Sequence, residues 1–254
     1  MLTGIDHVLI ACANPDAAAE ELQAAVGLRA SSGGRHESHG TFNRLVWLGD
    51  SYIELIGVFD ATLAATSWWG KEALTVLDQG GGYMGLVLVS DDLALDVGAL
   101  RARGSLLGEP DSGSRMRPDG RFVRWRSAHL PAPDPDLGIF FLIEHDSAAA
   151  EWTPAERSDR AAQAHPLGGP ARLKRVELPV ASTHRATMRA HRDMGVAFRP
   201  SLAGAGARDG AVGRQTLRLF PAALKDPPRV VVRGGPLGRE IDLFGLRWLV
   251  EPAG

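Results

Sequence analysis

The stretch GIDHVLIACANPDAAAEELQAAVG, residues 4–27, reads as a strand running straight into a helix. Its first half is apolar and rich in β-branched residues. Alternation puts His7, Leu9 and Ala11 on one face and Val8, Ile10 and Cys12 on the other. The second set is the face expected to pack on a helix. That helix follows at once: Asn14 can cap it, Pro15 suits its first position, Ala18, Leu22 and Val26 recur at helical spacing, and Gly27 ends it. Three more strands are expected in LRASS (28–32), FNRLVWLG (42–49) and SYIELIGVF (51–59), the last two joined by a Gly-Asp-Ser turn. The unit is βαβββ.

The same order recurs. GYMGLVLVS (82–90) reads as a strand, DDLALDVGALRARG (91–104) as a capped helix, and RFVRWRSAHL (121–130) and GIFFLIEHD (138–146) as later strands. The strand between helix and RFVRW is expected in SLLGEP (105–110), because the following DSGSRMRPDG is polar and turn-rich. A looser copy begins at LKRVELPVA (173–181) and continues through STHRATMRAHRDMG, GRQTLRLF, PRVVVRGG and LRWLVEP. Repetition of one order points to internal duplication. The fold class is therefore α+β, with two βαβββ modules at about 4–60 and 81–147 forming a domain over 1–147. A connector at 148–170 leads to a degenerate unit over 171–254, read as a partial third βα unit.

The chain has 254 residues, is 44% hydrophobic, carries a formal net charge of −2 and holds one cysteine, Cys12. That supports a substantial core and gives no electrostatic reason for nucleic acid or an anionic membrane as partner. A small molecule is the expected partner and the cytoplasm the expected compartment. The opening apolar run is too short to span a bilayer. Cys12 excludes an internal disulfide and reads as a small buried side chain.

Two motif look-alikes fail on context. GGGYMG (80–85) precedes a strand, where a phosphate loop would open a helix, and HESHG (36–40) spaces His36 and His39 three apart, not on the i, i+4 face of a zinc-protease helix. One pairing survives. On YIELI (52–56), Tyr52 and Glu54 share a face, and a buried carboxylate needs a partner. If the first and fourth strands are neighbours, His7 and Glu54 project into one hollow, as a hydrogen-bonded pair or as ligands of Zn²⁺, Fe²⁺, Mn²⁺ or Ni²⁺.

The repeated units, GIDHVLIA, GGRH…GTFN followed by YIELI, RWR…FFLIEHD, and HPLGG before the later strand together resemble the vicinal oxygen chelate superfamily and its glyoxalase-like branch. The resemblance implies the glyoxalase/bleomycin-resistance/dioxygenase fold, in which paired modules curl into a cup. In that cup a divalent metal ion holds adjacent substrate oxygens and acts as a Lewis acid. It implies that His7 and Glu54 are both metal ligands and catalytic groups. The two corresponding positions of the second module fall on Gly85 and Phe141, which cannot ligate, so His36 is the candidate third ligand, with Glu144 and His145 behind it. His36, Asn43, Tyr52 and Arg126 are expected to bind substrate. His39 and Glu177 read as surface groups, and Trp68, Trp69 and Trp152 as anchors for the connectors or lining of a ligand pocket.

The expected activity is that of a lyase or isomerase acting on a small oxygenated substrate. Two alternatives stand: a metal-free drug-binding or resistance protein, and a ring-cleaving dioxygenase. The superfamily often dimerises, and a homodimer is expected on that ground.

Overall fold

Strand β1 (Leu2–Ala11) and helix α1 (Pro15–Val26) form as their sequence dictates. The Asn14 side chain accepts from the backbone N–H groups of Asp16 and Ala17, and Gly27 closes the helix at φ 83°, a left-handed conformation that favours glycine. Val8, Ile10 and Cys12 pack with Ala18, Leu22 and Val26 in one apolar cluster, whereas Leu9 and Ala11 belong to a second. The two faces of β1 thus serve different cores. The computed structural model describes residues 2–117, 119–148, 151–222 and 226–253, so Ala149 and Ala150 of the connector lie outside the described residues.

The first unit continues through β2 (Ser31–His36), β3 (Thr41–Leu48) and β4 (Ser51–Val58). Two helices, α2 (Ala61–Ala64) and α3 (Trp68–Asp78), lead to β5 (Gly82–Ser90), α4 (Leu93–Arg101), β6 (Asp111–Met116), β7 (Phe122–His129) and β8 (Ile139–His145). These eight strands close into a barrel in the order β1-β4-β3-β2-β6-β7-β8-β5. β1 is parallel to β4, with Leu9 opposite Glu54 and His7 opposite Tyr52. The two units meet where β1 pairs with β5 and β2 with β6.

Two expected strands are displaced. β2 is not LRASS but Ser31–His36, which makes Gly33 to Asn43 a hairpin turning at residues 37–40. β6 is not SLLGEP, which carries no regular structure, but the polar DSGSRM. Ladder bonds to β2 and β7 on either side outweigh its poor strand composition.

After α5 (Pro154–Ala162), the chain forms β9 (Arg172–Val180), α6 (Thr183–Met194), β10 (Phe198–Pro200), β11 (Arg208–Val212), β12 (Gln215–Pro221), β13 (Arg229–Arg233), β14 (Arg239–Leu243) and β15 (Leu246–Glu251). Their sheet order, β10-β11-β12-β9-β13-β15-β14, repeats β2-β3-β4-β1-β5-β8-β7 of the barrel. The segment read as a partial third unit therefore holds one run in βαβββ order and three further strands. Among the described residues no strand takes the place of β6, and this second sheet stays open. Glu177, expected at the surface, is instead buried: it pairs with Arg175, Arg218 and Arg229, because an ionised carboxylate is tolerated inside only when charge partners surround it.

The two sheets are locked together by specific contacts. Gln215 accepts from the backbone N–H of Ile5 at 2.9 Å and donates to Ser51 Oγ at 2.6 Å, bridging β1 and β4 from the second sheet. The connector is tied to the barrel in HPLGG, where His165 Nδ1 accepts from the Arg29 N–H at 3.1 Å, which leaves Nε2 to donate to the Trp47 carbonyl at 2.9 Å.

Candidate functional site

The barrel encloses a cavity of about 440 Å³, within the usual range for a small-molecule site. His7, on β1, and Glu54, on β4, both line it, and both are buried at 2% and 4% exposure. His7 Nε2 stands 3.3 Å from Glu54 Oε2. The approach is not aligned as a hydrogen bond, and Nε2 has no hydrogen-bond partner among the described residues. Two ligands each about 2.0–2.1 Å from one tetrahedral ion lie about 3.3 Å apart, so this separation would admit an ion held by both groups.

Each group is fixed from behind. His7 Nδ1 lies 2.5 Å from Asp6 Oδ1, and because an ionised carboxylate can only accept, Nδ1 carries a proton and Nε2 is the nitrogen turned toward Glu54. The other Asp6 oxygen accepts from His145 Nε2 at 2.7 Å. Burial alone would push the Asp6 carboxyl up, but His145 and His7 outweigh it and hold Asp6 well below the usual carboxylate range. The His7 ring stacks on Tyr52 at 4.4 Å, and His145 stacks on Trp152 at 3.8 Å. Asn43 Nδ2 donates to Glu54 Oε1 at 2.6 Å while its Oδ1 accepts from the Gly34 N–H.

His36 ends β2, with Nδ1 3.1 Å from Thr41 Oγ1 and Nε2 3.8 Å from Glu54 Oε1. Burial first, then the positive charges of Arg115, His39 and His7, lower its pKa to about 3, so its ring is neutral and competent to ligate. Among the described residues, however, no group of three or more His, Cys, Asp or Glu side chains is drawn together as a ligand set. His7 and Glu54 fit an ion as a pair, with His36 one step away.

The candidates divide cleanly. His7, His36, Asn43, Tyr52 and Glu54 all line the cavity. Arg126 does not: alternation along β7 turns Trp125 inward and leaves Arg126 exposed, 3.8 Å from Glu144 on the neighbouring strand. Glu144 is also directed away, accepting from the N–H of Leu93 at the start of α4. His39, expected at the surface, is half-buried and lines the cavity, as do Trp68, Trp69 and Trp152. Three participants escaped the sequence reading. Asp6 has the wrong parity for the cavity, and it reaches His7 and His145 where the β1–β5 register shifts between Ile5 and His7. Arg115 lies on the unrecognised β6 and pairs through Nη2 with both oxygens of Glu151, itself in the connector. The similarity of DSGSRM to SSGGRH of β2 was the available signal for β6.

Gly85 explains why the second unit supplies no ligand on its first strand. A Cβ there would stand 2.2 Å from the Ile139 carbonyl oxygen and 2.6 Å from Ile139 Cγ1. Glycine is demanded by the close approach of β5 and β8, so the site cannot be completed from that strand. Gly85→Ala is expected to cost about 3 kcal/mol or more, read by urea unfolding, and Gly85→His to gain no ion affinity. A Gly85→His protein of unchanged stability would contradict this.

A barrel of two βαβββ units around a shared cavity, with a histidine on one strand facing a glutamate on its parallel neighbour, is the architecture of the vicinal oxygen chelate superfamily. A family model described as a glyoxalase-like domain matches residues 5–193, and the chain belongs to that family. No match is found among curated proteins. Among solved structures, a hypothetical protein from Staphylococcus aureus aligns with TM-score 0.80 at 15% identity over 99% of this chain and 100% of that one, a likeness of fold. A variant of Streptomyces coelicolor methylmalonyl-CoA epimerase in complex with 2-nitronate-propionyl-CoA aligns with TM-score 0.46 at 22% identity over 59% of this chain and 99% of that one. The Mycobacterium tuberculosis methylmalonyl-CoA epimerase gives TM-score 0.40 at 21% identity, over 56% and 88%. Among the described residues no helix is long and apolar enough to cross a membrane.

Proposed function

We propose that the barrel cavity is the active site of a metal-dependent lyase or isomerase acting on a small oxygenated substrate. The observation that carries this reading is His7 Nε2: a buried ring nitrogen, held in one tautomer by Asp6, unpartnered among the described residues, and 3.3 Å from a carboxylate oxygen. Such an atom is costly to leave unsatisfied, and ligation satisfies it. His7 and Glu54 would hold the ion, with His36 as the third donor. When bound, a divalent ion there supplies Lewis-acid polarisation of a substrate oxygen.

The protein's own groups supply the rest. Asn43 fixes Glu54 Oε1, which presents Oε2 to the cavity beside His7 Nε2, where the ion would be held. Asp6 and His145 keep His7 in register. Tyr52, Trp152 and the other aromatic side chains of the cavity wall exclude water from the site.

The aromatic wall also supports a second reading, a metal-free binding protein that sequesters its ligand. Elemental analysis of protein purified without chelators separates the two. About one equivalent of a transition ion per chain is expected. No ion, and none taken up on titration with Zn²⁺, Mn²⁺, Fe²⁺ or Ni²⁺, would leave the sequestering protein as the better account.

A further inference from the structure

The second sheet repeats the strand order of the barrel, and its ladders repeat the register as well. In the barrel, Leu9 of β1 lies opposite Glu54 on β4 and Gly85 on β5. In the second sheet, Glu177 of β9 lies opposite Arg218 on β12 and Arg229 on β13. Two residues earlier on each first strand, His7 corresponds to Arg175. The positions that hold His7, Glu54 and Gly85 in one half of the molecule therefore hold three arginines in the other. Val176, Leu178, Leu217, Leu219 and Val230 alternate with them and pack into the core behind the sheet, so the arginines share the opposite face.

A hollow of about 420 Å³ opens on that face, lined by Glu177, Arg218, Arg229, Phe220, Pro221 and Leu249. Glu177 is its floor. One carboxylate oxygen accepts from Arg175 Nε at 2.5 Å and Arg218 Nη1 at 3.1 Å, and the other lies 3.4 Å from Arg229 Nη1. Arg218 also clamps Asp209 through two bonds, and Glu251 is shared by Lys174, Arg175 and Arg233. This connected network sets five cations against three carboxylates, which leaves two positive charges in excess. A further anion would remove the repulsion among them.

Arg229 is the arginine of the hollow with most left to give. Its contact to a carboxylate is the long one to Glu177, and its side chain keeps 29% of its surface exposed. Nε is sealed from solvent, but Nη2 is not, and it makes no hydrogen bond among the described residues. The guanidinium lies over the Phe220 ring, 4.4 Å from its centroid, which holds it in place beside an apolar wall.

We propose that this hollow is a second ligand site, separate from the barrel cavity, that takes a small organic anion. Its carboxylate or phosphate group is held by Arg229 and Arg218, whose planar forks suit either oxyanion, and its apolar part lies against Phe220, Pro221 and Leu249. The duplicated half has kept the ligand positions of the barrel and exchanged their chemistry, from groups that suit a cation to groups that suit an anion. None of His7, His36 and Glu54 lines the hollow, so the site does not depend on the ion proposed for the barrel.

The test is equilibrium dialysis of the full chain at low ionic strength with three probes of similar shape: benzoate, phenyl phosphate and the neutral benzamide. At least one of the two anions is expected to bind saturably and about tenfold or more tighter than benzamide, since hydrogen bonds to charged groups are worth at least that much. Which anion binds tighter names the group. Arg229→Gln removes the charge and the fork at a partly exposed position, and is expected to weaken the anion by about tenfold or more. Arg229→Lys keeps the charge facing Glu177 and loses only the fork, so it should fold as the wild type does and bind with an affinity between the two. Circular dichroism of the free variants confirms that the sheet is intact. Failure of both anions to bind tighter than benzamide overturns the proposal. So does anion affinity left unaltered in the folded Arg229 variants, which would place the anion elsewhere on the molecule.

Discussion

Glu54→Gln is expected to weaken ion binding by about 10³-fold or more, well beyond the 10–100-fold typical when an outer partner of a ligand is lost. Glutamine keeps the shape of the side chain and a carbonyl oxygen that can still accept from Asn43 Nδ2, but it removes the charge that His7 Nε2 faces at 3.3 Å. The fold is therefore expected to survive the change. Asp6→Asn is the graded control. Asp6 touches the far nitrogen of His7 at 2.5 Å and not the cavity side, so its loss frees the tautomer and is expected to weaken binding by about 10–100-fold. Competition against a chromophoric chelator measures both. Near-equal, small losses in the two variants would mean that the ion is held elsewhere, and a Glu54→Gln protein with unaltered affinity would remove Glu54 from the ligand set.

The strand faces explain how this pair could be found without coordinates. Period-two alternation fixed the side of β1 that carries His7 and the side of β4 that carries Glu54, and a parallel pairing of first and fourth strands then brings the two together. What alternation cannot express is a shift of register. Asp6 should point with Val8 into the helix-facing core, yet the irregular β1–β5 pairing beside it hands both its oxygens to imidazoles. Composition failed in a different way at β6, where serine and glycine were read as turn residues although the closing barrel supplies ladder partners on both sides. Arg115 was hidden with it. Arg126 was expected to bind substrate, but alternation does not say which face of β7 looks inward; a barrel with room for a guest turns the Trp125 indole inward and leaves Arg126 in water.

Acid is expected to unfold the ion-free protein earlier than an ordinary domain of this size, and His36 is the reason. Its pKa is lowered from 6.5 to about 3, first by burial and then by Arg115, His39 and His7. Its Nδ1 meets a hydroxyl, and the nearest carboxylate oxygen, 3.8 Å from Nε2, already accepts from Asn43. Burial and the charge of Arg115 outweigh the attraction of that one carboxylate for a proton. Between pH 6.5 and about 3 the unfolded chain holds a proton on this ring that the native ring refuses, so native stability is complete above pH 6.5 and falls as the pH drops. At 1.36 kcal/mol per unit, the shift amounts to about 5 kcal/mol by pH 3, against a total stability on the order of 5–15 kcal/mol. His39 and His165, both lowered by burial, act in the same direction. Asp6, held low by its two imidazoles, adds its own loss only below the ordinary carboxylate range. Urea unfolding of chelator-treated protein from pH 7.5 to 4.5 should show stability falling by up to about 1.4 kcal/mol per unit from His36 alone, and His36→Gln, which cannot titrate, should flatten much of that slope. A bound ion is expected to hold stability up at mildly acidic pH by occupying the native state, until protons displace it from the same imidazoles. Identical slopes for wild type and His36→Gln would show that this ring is not protonated on unfolding, and with that its neutral, ligand-ready state in the folded barrel would lose its physical basis.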